Sequence, residues 1–259
     1  MKEFVVYIQY ENHVKNNNDI ERGYYEKIFI DDINLNLDSL ERYYKKQGDR
    51  LHEAFTDFYA SWQSSLCQDV LQPRAVITFM PTRRLINVLN DQSPQEIETN
   101  LADTLEKSST VALTVLTLGV AIDELFIKLR TRAKFIICLL VDTVSSLLLY
   151  EMHVRLRKLI GEIAESRFSL YPMYECYPGI GGQSLKLIPI ILKLSNAERI
   201  IGVRVNEMTM MYPKKSECSI MLLGKEKAKM TIRPCAPCQG NRCLYYQLGG
   251  CHLFTPCPG

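Results

Sequence analysis

Thr110 to Leu118, T-V-A-L-T-V-L-T-L, is an uncharged run made almost wholly of β-branched and aliphatic side chains, closed by Gly119. Such a run suits a strand buried on both faces, because no position in it is polar enough to be left facing water. A strand of that kind needs a layer on either side, so it already argues against a simple helical bundle.

The rest of the chain supplies the layers. Residues 4–10 alternate as a strand, Lys27 to Ile33 can pair with it, and R-A-V-I-T-F-M after Pro73 makes another. Asp38 caps a short helix through about Lys46, which Gly48 ends. From Arg50 to Val70, Leu51, Phe55, Phe58, Trp62 and Leu66 recur at three- and four-residue steps, an aromatic stripe suited to core packing. Residues 94–107 form an amphipathic helix with Ser93 as cap and Pro94 at its first position. Val120 to Arg130 is a helix, and Ala133 to Ser166 a longer one whose second half carries Arg155, Arg157 and Lys158 as a solvated face. Residues 165–183 read as an Arg-led turn and a loop rich in Tyr, Pro and Gly. Ser184 to Ser195 is helical around Pro189, residues 203–211 are one strand, and C-S-I-M-L-L-G closes the fold. The expectation is one α+β domain over residues 1–230, a mixed or antiparallel twisted sheet packed with helices, and a Cys-rich tail over 231–259.

Composition narrows the function. A net charge of +2 with 23% charged residues points to neither nucleic acid nor a membrane as partner. The apolar stretch Phe135 to Tyr150 contains Asp142, Thr143, Ser145 and Ser146, which suits a buried helix better than a span. The N-terminus turns polar too early for a signal peptide, so a cytoplasmic setting is expected. Five of nine cysteines, Cys235, Cys238, Cys243, Cys251 and Cys257, fall in the last 25 residues. In a cytosolic chain that spacing favours metal chemistry: Cys235, Cys238, Cys243 and Cys251 could hold zinc or an iron–sulfur cluster, with His252 and Cys257 as further candidates. The four histidines, His13, His52, His153 and His252, stand apart in the sequence, in no catalytic motif.

Several ordered segments carry a resemblance: V-L-T-L-G at 115–119, V-D-T-V-S-S-L-L-L-Y-E at 141–151, R-F-S at 167–169, L-S-N-A-E-R-I-I-G-V at 194–203, M-M-Y-P-K-K-S at 210–216 and C-A-P-C-Q-G-N-R-C-L-Y-Y at 235–246. Together they resemble the reactivation (activation) domain of cobalamin-dependent methionine synthase, in a free-standing form. The resemblance implies a protein that presents S-adenosylmethionine for reductive methylation of cob(II)alamin. The cobalamin would be carried by a methionine synthase or related corrinoid protein, with an electron donor such as a flavodoxin. It implies that Arg167 grips the methionine carboxylate, a bidentate task suited to guanidinium. Ser169, Tyr171, Gly181 and Gly182 would line the ligand, and Glu151 would meet its charged end. Arg167 could equally serve the helix dipole; Tyr171 and Tyr174 could cover an adenine or simply pack. One departure is plain: the family's Arg-Phe-Ser-Pro-Gly-Tyr turn lacks its Pro-Gly in R-F-S-L-Y-P. The alternative is a corrinoid-protein adaptor that has lost the methyl donor and keeps the tail as a metal clip or electron relay.

Overall fold

The computed structural model describes residues 4–10, 24–30, 37–61, 70–92, 101, 105–180, 183–227 and 231–232. Gly181, Gly182 and all the tail cysteines lie outside them, as does most of the helix expected at 94–107, of which 101 and 105–107 are helical.

The elements run β1 (Phe4–Tyr10), β2 (Tyr24–Ile30), α1 (Leu37–Gln47), α2 (Asp49–Ser61), β3 (Arg74–Pro81), α3 (Thr82–Gln92), β4 (Thr110–Thr117), α4 (Ala121–Thr131), α5 (Phe135–Ile163), a π-helical turn (Ala164–Phe168), β5 (Tyr171–Cys176), α6 (Leu187–Leu194), α7 (Ala197–Ile201), β6 (Arg204–Val205), β7 (Met211–Tyr212), β8 (Ser216–Gly224) and β9 (Thr231–Ile232). Seven strands form one mixed sheet in the order β2-β1-β3-β4-β8-β5-β9, and β6 and β7 make a separate hairpin. The β1–β3 and β5–β9 pairs are parallel and the other neighbours in the large sheet antiparallel.

The apolar run at 110–118 sits at the centre as expected, and strand alternation explains its composition. Ala112 and Leu116 join Ala75, Ile77, Phe79, Met221 and Leu223 on one face, under α5, α1 and α2. Val111, Leu113 and Val115 join Val76, Met80, Ile220 and Leu222 on the other, under α3, α6 and α7. Both faces are therefore dry, and each fully buried aliphatic side chain contributes about 1.5–3 kcal/mol. The aromatic stripe of α2 packs as foreseen: Phe55 and Phe58 are buried, and Phe55 stacks on Tyr44 of α1 at 4.9 Å between centroids.

Helix α5 is 29 residues long, about 43 Å at the helical rise. It has the length and composition of a membrane-crossing helix. Here Leu140, Val144, Leu148, Met152, Leu156 and Ile160 are spent on the sheet, the role of a core helix.

Three expectations change. Residues 171–176 are a sheet strand, not loop: β5 pairs with β8 through a bulge at Pro172–Tyr174, where a residue without an N–H is tolerated. Residues 203–211 are not one strand. Asn206 turns the chain, accepting from the Met208 and Met210 N–H groups with its side-chain oxygen, and Thr209 sits at φ 59°. And β8 is not a closing edge; it lies between β4 and β5. Helix α3 was not foreseen at all.

Candidate functional site

Register defines two ends of the sheet. Arg74, Thr117 and Ser216 lie level at one, and Pro81, Thr110 and Leu223 at the other. Helix α5 starts near the Thr117 end and finishes at the Thr110 end.

At the Thr110 end, the π-helical turn closes on Ser169, which takes the left-handed conformation at φ 53°. Arg167 donates to Glu26 Oε2 of β2 at 2.8 Å and lies 4.8 Å over the Tyr10 ring. Tyr171 opens β5 with Lys227 over its ring, 5.1 Å away. Tyr174, one face over, is buried in the second core; it packs.

At the Thr117 end, three of the sequence motifs meet. Lys215 of M-M-Y-P-K-K-S reaches Asp142 Oδ1 at 2.8 Å and Ser146 Oγ at 2.7 Å, both on α5. The Lys215 carbonyl accepts from the Leu118 N–H of V-L-T-L-G. Ser216 donates to Thr117, and the Lys214 N–H to Asp123 Oδ2. Pro213 enters this turn through a cis peptide bond. The M-x-P-x-K-S segment is thus a clasp joining β4, α4 and α5.

Beside that clasp lies a buried polar cluster that the sequence did not reveal. His153 and Arg157 sit one helical turn apart on α5 and face the sheet. Glu175 and Tyr177 rise to meet them from β5 and its extension, and Glu217 and Ser219 from β8. Glu175 Oε1 lies 2.9 Å from His153 Nε2 and accepts from Ser219 Oγ at 3.2 Å, and its Oε2 accepts from Arg157 Nε at 2.7 Å. His153 Nδ1 lies 2.8 Å from Glu217 Oε1. The Tyr177 hydroxyl lies 2.7 Å from His153 Nε2 and accepts from Arg157 at 3.0 Å.

Burial alone would discharge the imidazole, but the Glu175 and Glu217 carboxylates outweigh it and raise His153 to about 10. Burial likewise pushes Glu175 upward, yet His153 and Arg157 prevail and hold it at about 2. Burial, then the Glu175 charge, raise the Tyr177 phenol above its ordinary value. Two cations meet two carboxylates, so the cluster is neutral. Arg157 is accordingly no part of a solvated face, whereas Lys158, one position on, is fully in water. The available signal was a carboxylate at an inward strand position, in Y-E-C and again in S-E-C.

Tyr177 leads straight into Pro178-Gly179. Gly179 adopts φ 79°, its N–H donates to the Gln183 carbonyl at 2.8 Å, and Leu185 fills the space a Cβ would need. Measured back from this Pro-Gly, the arginine position of Arg-x-x-x-Gly-Tyr falls on Glu175 and the tyrosine on Ile180. Measured by residue identity it falls on Arg167. The structure separates the two: Arg167 stands at the Thr110 end, while the Pro178-Gly179 turn shares the Thr117 end with the other motifs.

Glu151 lies sixteen residues before Arg167 on the same helix, about 24 Å away along its axis. It pairs instead with Arg155 at 3.1 Å, both half-buried. Arg167, Ser169 and Tyr171 are therefore brought together, and Glu151 is not brought to them. Among the described residues, no three His, Cys, Asp or Glu side chains gather as a metal site. Cys176 and Cys218 are buried, and burial raises the Cys218 thiol, so Cys218 is not poised as a thiolate.

The architecture is a helix-covered mixed sheet. The fold is similar to that in a crystal structure of the MetH reactivation domain bound to AdoHcy, one of several solved chains that match, with a TM-score of 0.51 and 15% identity. The match covers 70% of this chain and 66% of that one, a little under two thirds of its length. Comparison of the sequence with protein-family models and with curated proteins finds no match.

Proposed function

We propose that this protein is a corrinoid-reactivation protein that presents S-adenosylmethionine to a cobalamin held by a partner, a methionine synthase or related corrinoid protein. The reading is carried by the convergence of V-L-T-L-G, the Asp142–Ser146 segment and the Lys215 clasp at the Thr117 end, in a fold shared with a domain solved with AdoHcy bound. The half-buried Glu151–Arg155 pair fits the ligand's amino-acid end: the carboxylate can exchange its partner for an ammonium and the guanidinium for a carboxylate. When bound, S-adenosylmethionine supplies an electrophilic methyl group. The chain's own task is to hold that methyl in line with its acceptor. In the same proposal the tail cysteines hold zinc or an iron–sulfur cluster, which metal analysis and an absorption spectrum after anaerobic purification test.

A second reading, the adaptor without a methyl donor, is favoured by one observation. The residue at motif spacing from Pro178-Gly179 is the buried, fully engaged Glu175, and Arg167 is engaged by Glu26. Calorimetric titration of S-adenosylmethionine into the full chain, alone and with a corrinoid protein, separates the two. Binding lost in Arg155→Ala but kept in Arg167→Ala supports the ligand site at the Thr117 end, and the reverse moves it to the Thr110 end. Absence of binding in both settings leaves the adaptor.

A further inference from the structure

The corner between α4 and α5 has a character that neither reading uses. From Leu125 to Val141 the chain contains no acidic residue but carries Lys128, Arg130, Arg132 and Lys134. All four are exposed, and none pairs with a carboxylate among the described residues. Ile127, Phe135 and Leu139 are exposed at 63%, 69% and 53%, among the most exposed large apolar side chains described. Phe135 and Leu139 are one helical turn apart and so share a face of α5. The connection Arg132–Lys134 is tight: the Lys134 N–H donates to the Leu129 carbonyl, and Ala133 is at φ 53°. The result is a corner that exposes three large apolar side chains and four cations close together in the chain. A net charge of +2 is an average over the chain and hides it.

We infer that this corner is a contact site for an anionic lipid surface, independent of the corrinoid reading. Two physical points select a bilayer over a folded protein. A stable protein interface takes roughly 800 Å² from each partner, more than three apolar side chains at one helix–helix turn offer. A bilayer interface moulds round such a turn, takes up apolar tips, and lets Lys and Arg stems extend to the headgroups. Each cation near an anionic surface is worth about 1 kcal/mol, about fivefold in partition, so the four act jointly.

The test is flotation of the full chain with vesicles of phosphatidylcholine alone and of phosphatidylcholine with phosphatidylglycerol. The expected result is binding only to the anionic vesicles and weakened by salt. It should fall more than tenfold in Arg130→Glu/Arg132→Glu and also in Phe135→Ser/Leu139→Ser, with circular dichroism confirming that both variants fold. No binding to either vesicle, binding indifferent to both sets of substitutions, or capture by soluble poly-glutamate in preference to vesicles would each overturn the inference.

Discussion

Replacing Glu175 with Ala is the sharpest test of the buried cluster. Glu175 is wholly inaccessible and, among the described residues, is the one carboxylate that touches both His153 and Arg157. Its removal leaves Arg157 without its carboxylate and His153 with Glu217 as its one remaining carboxylate among the described residues. Breaking a buried pair in this way costs about 3–5 kcal/mol, because the stranded charge has no water to return to. Against a total stability of order 5–15 kcal/mol, that is a large fraction, and at about 2–4 °C per kcal/mol for a chain of this size it lowers Tm by roughly 6–20 °C. Thermal unfolding followed by circular dichroism for wild type, Glu175→Ala, His153→Ala and the double variant measures it. The double variant should lose clearly less than the two singles added, since once one partner is gone the other has less to lose. A single-variant loss below about 1 kcal/mol, or strict additivity, would refute the claim that these charges are coupled and desolvated.

The same cluster sets a pH window. Glu175 is held below its ordinary value, so its contribution is present above about 4.5 and is lost as pH falls towards 2; His153 is held above its own, so its contribution is complete below about 6.5 and drains away as pH rises towards 10. Stability should therefore be greatest between roughly pH 4.5 and 6.5 as far as this cluster is concerned, and a Tm profile that climbs steadily to pH 10 would contradict it. Arg167→Ala should change stability by less than about 1 kcal/mol in urea unfolding, because its pair with Glu26 is solvent-screened. Leu113→Ala, at the centre of the sheet with no exposed surface, should cost about 2–5 kcal/mol in the same assay.

Much of the fold was legible because its central strands and longest helix are apolar in the pattern their surroundings require. Thr110–Leu118 announces two dry faces, and the structure supplies them. Strand β5 was illegible for the opposite reason. Y-P-M-Y-E-C contains a proline that only a bulge accommodates and a glutamate that only a buried counter-cluster satisfies, so neither periodicity nor hydrophobicity marks it. The site was legible in its pieces and not in its assembly. Lys215, Asp142 and Gly119 each stood out in a motif, but what joins them is the antiparallel register of β4 and β8 together with the packing of α5 against that sheet. Arg167 matched by residue type in the immediate sequence; only tracing α5 from one end of the sheet to the other shows that it has left the company of the other motifs. His153 looked solitary because its partners are 22 residues away in β5 and farther still in β8.

The central position of β8 makes the order of synthesis matter. Until Ser216–Gly224 emerges, β4 has one flank unpaired and β5 has no antiparallel neighbour, so from the completion of β4 until β8 is made the chain holds an uncharged strand with an open edge. A chain cut before Ser216 should therefore collect in the insoluble fraction, while one ending just after Gly224 should stay in the supernatant, and the opposite outcome would show that the first half closes its sheet unaided. The last long strand works as a keystone: late to arrive, set in the middle, and needed before either core is sealed.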